Sequence, residues 1–173
     1  MADGELWLDP LHETHRDALG AACARDTSIW QIYSVSYGPE QFAQNFNALL
    51  SRQGWRPFAM FERDELVGMS AYIAIDEGRG VLEIGNTYIV SEKRGTGFNR
   101  MVKQLMIDRA FSCGFRRIEF RVDARNRRSQ AAMAKLGGVR EGVIRAERIT
   151  WTGHVRDTVL FSILASEWPS TAG

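Results

Sequence analysis

The residues best suited to chemistry are Ser91-Glu92-Lys93-Arg94-Gly95-Thr96-Gly97-Phe98-Asn99, set between an apolar run and a helix-periodic one. Two glycines and a small hydroxyl residue stand where a strand must turn sharply into a helix. Glycine lets a backbone approach a phosphate closely, because no Cβ intervenes. Several N–H groups and the positive end of a helix dipole can then converge on one anion. Phe98, Met101, Val102, Leu105, Met106 and Ala110, with the stem of Arg109, recur at helical spacing, so the loop opens an amphipathic helix. The chemistry this suits is the binding of a phosphorylated cofactor. A Walker loop would place Lys and then Ser or Thr after its last glycine, whereas Gly97 is followed by Phe98-Asn99. A dinucleotide fingerprint would need a third small residue where Arg100 stands. Taken alone, the loop also reads as a plain strand-to-helix turn.

The elements that must position this loop follow from periodicity and punctuation. Glu5 to Leu8 reads as a short strand stopped by Asp9-Pro10, and Pro10 to about Arg25 as a helix with Leu11, Ala18, Leu19 and Ala22 inward. A loop rich in Trp, Tyr and Ser runs from Asp26 to Tyr37. Gly38-Pro39-Glu40 starts a second helix with Phe42, Phe46, Leu49 and Leu50 inward. Pro57 to Glu62, Leu66 to Ile75 and Val81 to Val90 form an antiparallel meander. After the loop helix, Ile118, Phe120 and Val122 alternate with Arg117, Glu119 and Arg121 as a half-buried strand. A helix from about Arg127 to Leu136 ends at Gly137-Gly138. Val139 to Ile149 and Val155 to Ala165 make a last hairpin around Thr152-Gly153-His154, and Ser170 to Gly173 read as a frayed tail. The expectation is a single α+β domain over residues 1–169.

Composition narrows the class. The chain has 173 residues, 45% hydrophobic and 25% charged, with a net charge of +1, which suits one core and gives no whole-molecule field for DNA or membranes. Cys23 and Cys113 have no framework spacing and read as buried thiols in a reducing compartment. No apolar run approaches the roughly 18 residues of a membrane span, and no signal pattern opens the chain, so the cytoplasm is the expected location. Six arginines fall between Arg116 and Arg128, but apolar residues interrupt them at strand period and Glu119 and Asp123 dilute them, which argues against a nucleic-acid stripe.

Arg94-Gly95-Thr96-Gly97-Phe98-Asn99 resembles the Arg/Gln-x-x-Gly-x-Gly/Ala signature of the GCN5-related N-acetyltransferases (GNAT), with Asn99 where Gly or Ala is usual. Further on come Asp123-Ala124-Arg125-Asn126-Arg127-Arg128-Ser129, Lys135-Leu136-Gly137-Gly138, Val139 to Arg145, and Arg156 to Ser162. The series resembles the Rim branch of that family, which acetylates ribosomal-protein N-termini, and it runs from about residue 57 to Trp168. The resemblance implies a mixed, mostly antiparallel sheet of about six or seven strands flanked by about four helices. That sheet is splayed between the strands on either side of the loop helix.

What the resemblance implies for the site is acetyl-CoA cradled by Arg94, Gly95, Thr96, Gly97, Phe98 and Asn99, with its pantetheine arm along Thr87, Tyr88, Ile89 and Val90. Asn126 and Ser129 match positions that touch the arm or the thioester sulfur, and read equally as a helix N-cap and a first-turn serine. Arg127 and Arg128 are placed to meet phosphates. A backbone N–H near Ile89 would hold the oxyanion, and Ser129 would protonate the thiolate. Glu83 is the candidate base, ahead of His154, Asp157 and Glu147. Trp30 and Tyr33 lie on the family's substrate wall and read also as core. No metal is implied.

An α-amine of pKa about 8 is roughly a fifth neutral near pH 7.4, whereas a lysine at about 10.4 is only about 0.1% neutral. A site without a strong base therefore suits an α-amine better. The expected function is acetyl transfer from acetyl-CoA to a protein N-terminus or small primary amine in a ternary complex, in a chain that could dimerise. The alternatives are another acyl donor, such as succinyl-CoA, and a non-catalytic acyl-CoA sensor.

Overall fold

The computed structural model describes residues 1–169, and the expected tail at 170–173 lies outside the described residues. Its strands are β1 (Ala2–Asp3), β2 (Leu6–Pro10), β3 (Arg56–Glu62), β4 (Glu65–Asp76), β5 (Val81–Ile89), β6 (Arg117–Asp123), β7 (Val139–Ile149) and β8 (Val155–Leu164). The helices are α1 (Arg16–Ala24), α2 (Phe42–Ser51), α3 (Phe98–Ser112) and α4 (Arg127–Lys135). All strands join one sheet in the order β1-β2-β3-β4-β5-β6-β8-β7. The strand beyond the expected six or seven is β1, only two residues long, which pairs with Leu6 and Trp7.

The meander is as expected, and the hairpin of β7 and β8 closes the far edge. Boundaries at the N-terminus differ from expectation. Pro10 does not stop the first strand: it lies opposite Phe58 at the end of β2, where the missing N–H breaks nothing that the ladder continues. The following helix starts only at Arg16, because Leu11 N–H still bonds Pro57 O and residues 13–15 form a tight turn first. This leaves Ala18 on the exposed side. The second helix begins at Phe42, since Pro39 sits in a turn closed by Gln41 N–H to Gly38 O.

The central departure from regularity is between β5 and β6. They are parallel and paired only over Val81–Glu83 against Arg117–Glu119, after which β5 runs on without a partner on that side. β5 is held against β4 instead. Two residues of β5, Asn86 and Thr87, oppose the single residue Ser70 between the pairs Ala71↔Gly85 and Met69↔Tyr88, which is a β-bulge. Asn86 takes a left-handed φ of 49°, a region that Asn occupies more readily than most residues.

Tyr88 fixes the strand on one face. Its ring is fully buried, stacks on Trp30 with centroids 4.8 Å apart, and its hydroxyl donates to Ala22 O at 2.6 Å. That carbonyl belongs to the last turn of α1, where it also accepts the amide of the C-cap residue Arg25 at 3.3 Å, and Trp30 Nε1 donates to the neighbouring Cys23 O. On the other face α3 buries Phe98, Val102, Lys103, Met106, Ile107 and Ala110. The buried stripe is thus rotated from the expected one: Met101 is exposed and a lysine lies in the core. Cys23 is buried as expected, but Cys113 is exposed, because it is the C-cap residue where the chain leaves α3 at Gly114.

Candidate functional site

The loop between β5 and α3 begins with a tight turn over Ser91–Lys93 and then enters two left-handed glycines, Gly95 at φ 83° and Gly97 at φ 94°. Thr96 Oγ donates to Lys93 O at 2.9 Å, and Gly97 O accepts the amides of Arg100 and Met101, which starts the helix. Among the described residues, the amides of Gly95, Thr96, Gly97 and Asn99 have no acceptor, and the two glycines and Thr96 are exposed. A Cβ at Gly97 would meet nothing within 4 Å, so the space over these amides is open. Unpaired donors at the N-terminus of a 15-residue helix are an anion cradle.

Arg94 serves the same loop from beneath. It pairs with Asp26, and its Nε donates to Ile89 O at 2.8 Å. The guanidinium holds the Asp26 carboxyl below the usual carboxylate range. One guanidinium nitrogen, Nη2, is buried without a partner among the described residues, and so is Asn99 Oδ1. Asp26→Asn should weaken this clamp and lower stability by about 1–3 kcal/mol, the scale of a hydrogen bond to a charged group. Denaturant unfolding at pH 7 measures the loss, and the gap should narrow as pH falls below about 4, where the carboxylate of the unfolded chain protonates first and the folded one, held lower, follows.

The edge of β5 supplies the second half of the site. Val90 N–H bonds Val67 O, and a Cβ on Gly68 would lie 2.1 Å from Tyr88 O, so the backbone groups of residues 88 and 90 face β4. Strand alternation turns those of Thr87 and Ile89 toward the splay. Tyr33 Oη donates to Thr87 O at 2.7 Å, and Arg94 occupies Ile89 O. The amides of 87 and 89 are left facing the gap. Each carbonyl oxygen also keeps a second lone pair. An extended, amide-bearing molecule could pair here as a strand would.

Asn126 and Ser129 stand at the start of α4. Asn126 Oδ1 accepts the Ser129 amide at 3.0 Å, so the N-cap role is filled, while the Ser129 hydroxyl is half-buried and makes no hydrogen bond among the described residues. Arg127 and Arg128 are exposed on the same turn.

Glu83 lies at the last paired position before the splay. Its carboxylate is 3.3 Å from Arg121 Nε. Burial raises its pKa above the usual carboxylate range, against the opposing pull of Arg121, Arg148 and Arg156. The other ionisable candidates have structural partners. Asp157 accepts the Ala146 amide, Glu147 pairs with Arg148 and Thr158, and His154 sits exposed in the hairpin turn. Trp30 is only 1% exposed, so it backs the site as core, and Tyr33 is the member of the pair that reaches the strand edge. Burial pushes the Tyr33 phenol up to about 12, which keeps it a donor.

Four residues that sequence reasoning did not single out belong to this region: Asp26, Ser34, Lys103 and Arg156. Arg156 is buried and joins the hairpin to the substrate-side loop through Ser34 Oγ at 2.6 Å and Arg121 O at 3.0 Å. Three of the six arginines of the 116–128 run are taken up by carboxylates: Arg117 by Glu119 and Glu141, Arg121 by Glu83 and Glu119, and Arg125 by Asp123. A concavity of about 1300 Å³ lined by Arg56, Tyr72, Leu82, Arg109 and Phe115 opens near the opposite end of α3, so size alone does not locate the site. Among the described residues no helix is long and apolar enough to cross a membrane.

The acetyltransferase (GNAT) domain model matches residues 5–139. A crystal structure assigned as an acetyltransferase is 32% identical, with a TM-score of 0.89 over 98% of this chain and 88% of the other. A second, from T. thermophilus and likewise assigned, is 31% identical at a TM-score of 0.88, covering 97% and 90% of the two chains. The ribosomal-protein-S5-alanine acetyltransferase of Vibrio fischeri shares the fold at a TM-score of 0.77 with 19% identity, covering 97% of each chain. No curated protein matches the chain by sequence. A domain match over most of the length and a shared fold at over 30% identity lead to one conclusion: the chain belongs to the GNAT acetyltransferase family.

Proposed function

We propose that this protein is an acetyl-CoA-dependent N-acetyltransferase of the Rim type, acting in the cytoplasm on a primary amine by direct transfer in a ternary complex. The observation that carries this reading is the juxtaposition of the unpaired amides of Gly95, Thr96, Gly97 and Asn99 with the free edge of β5. The first set fits a pyrophosphate and the second an amide-bearing arm. When bound, acetyl-CoA supplies an activated thioester carbonyl.

The chain's own residues then divide the work. The Ile89 amide points at the gap and is the donor for negative charge growing on a carbonyl oxygen. The Ser129 hydroxyl, free of other bonds, gives a proton to the leaving sulfur. Glu83, whose proton affinity is raised by burial, accepts the proton of the attacking amine directly or through water. Tyr33 and Arg94 hold the strand edge in place from the substrate side.

The acceptor is better read as a monoamine, such as a polypeptide α-amine, than as a polycation. Among the described residues, Glu83, Glu119, Asp123, Glu141 and Glu147 are paired with arginines and Asp157 alone of the nearby carboxylates is not, which leaves little free acidic surface to bind several ammonium groups.

Calorimetric titration with acetyl-CoA, succinyl-CoA and free CoA tests the reading. Micromolar binding of acetyl-CoA supports it, and absence of binding to all three would sink it. Tighter binding of succinyl-CoA would shift the reading to another acyl group. Ser129→Ala should lower kcat by about 10–100-fold, the range of a lost general acid, and leave acetyl-CoA affinity nearly constant. Steady-state kinetics beside calorimetry separates this from a sensor, which has no turnover to lose.

A further inference from the structure

Lys103 is 3% exposed, on the sheet-facing side of α3, and no carboxylate lies within ion-pair distance among the described residues. Its Nζ donates to Thr87 Oγ at 2.5 Å and to Ser70 Oγ at 3.2 Å. Those two hydroxyls are 2.8 Å apart, and each also lies 3.4 Å from Gly85 O. They belong to the two sides of the bulge in β5: Ser70 is the single residue on β4, and Thr87 is one of the two opposite it. A methionine would fill the same volume without the penalty of burying an amine. What the amine adds is a second link across the bulge, beside the contact of the two hydroxyls.

The bulge decides which backbone groups face the splay. A one-residue change of register reverses the direction of every following N–H and C=O in the strand. With the bulge in place, the amides of Thr87 and Ile89 face the gap; without it, those of their neighbours would.

We propose that Lys103 is a positioning residue: by pinning Thr87 to Ser70 it fixes the bulge, and so sets which amides of β5 are presented to the acyl-CoA arm. This rests on the acyl-CoA reading of the site. Lys103 works from the α3 face, while Tyr88, anchored to Trp30 and Ala22, holds the same strand from the α1 face. Of the ionisable groups around it, Glu83 on β5 acts on its charge, and β4 offers only the hydroxyl of Ser70.

Lys103→Met and Thr87→Val test the assignment, with hydrogen exchange on the free protein and acetyl-CoA titration from pH 6 to 8.5. Each variant should stay folded, exchange at least about 10-fold faster at amides 85–89 than wild type, and bind acetyl-CoA about 10-fold more weakly, as for local opening of about one hydrogen bond's worth. The double variant should be no worse than Thr87→Val alone, because Thr87→Val removes both the Lys103 bond and the Ser70–Thr87 bond, whereas Lys103→Met removes only the first. Unchanged exchange at 85–89 or additive losses would each overturn the proposal. Should Lys103→Met fail to fold, the exchange of Thr87→Val decides alone. Failure of the wild type to bind acetyl-CoA would instead remove the acyl-CoA reading, with the exchange result still judging the link across the bulge.

Discussion

Gly97→Glu should weaken acetyl-CoA binding by about 100-fold or more, from the loss of one or two charge-assisted hydrogen bonds of about 1.5–3 kcal/mol each. Gly97 occupies a left-handed φ of 94° as the N-cap of α3, and the amides that precede it are exposed and unpaired. A glutamate there has three effects. Its backbone is strained by about 1–2 kcal/mol, because an L side chain crowds the following carbonyl in this region. Its carboxylate can fold onto the free amides in place of a phosphate. It also sets a negative charge against the pyrophosphate, repelling it by about 3 kcal/mol at 5 Å in an effective dielectric near 20. Gly97→Ala carries the strain without the charge and should lose only about 10-fold, the equivalent of about 1.4 kcal/mol. Calorimetry on the pair therefore separates geometry from electrostatics. Equal affinities for Gly97→Glu and wild type would mean that the loop is only a turn.

The parts of this site that were legible in the sequence are those built from local rules. Gly95 and Gly97 announce a left-handed turn before a helix, and Asn126 announces an N-cap; both occur where expected. The alternation of Ile118, Phe120 and Val122 with charged neighbours gave β6 its faces. The illegible parts depend on partners distant in sequence. Asp26 reads as a loop residue, yet it clamps Arg94, 68 positions away. Trp30 reads both as wall and as core, and only its distant neighbours Tyr88 and Cys23, which enclose it, decide for core. Nothing in the spacing of β5 marks a bulge at Asn86, because the bulge is defined by its partner strand. Lys103 is the sharpest case. Helical periodicity assigns a lysine to solvent, so the expected stripe ran through Met101 and Leu105, and only the three-dimensional meeting of Ser70 and Thr87 shows why the amine turns inward.

Replacing Lys103 with methionine should stabilise the fold at pH 7 relative to wild type and erase a large part of its pH response. Burial lowers the pKa of this amine from 10.5 to about 7, against the opposing pull of Glu83. The sign follows from proton counts. Between pH 7 and 10.5 the unfolded chain holds a proton on Lys103 that the folded chain has released, so wild-type stability contributed by this group rises with pH. Below pH 7 both states are protonated and the penalty stays at its full value; above 10.5 both are neutral and it vanishes. The advantage of Lys103→Met should therefore be greatest at pH 6–7 and shrink by about 1.4 kcal/mol per unit through pH 9, out of a total on the order of 5 kcal/mol. Burial raises Cys23 and Tyr37 as well, which lowers stability at alkaline pH, but both proteins share that term and it cancels in their difference. Urea unfolding of the two proteins at pH 6, 7, 8 and 9 measures the difference directly. An offset that does not change with pH would mean that the folded protein keeps Lys103 charged. A shrinking offset beside weakened acetyl-CoA binding would give the lysine its physical rationale: the fold surrenders stability at neutral pH to hold one bulge in one register.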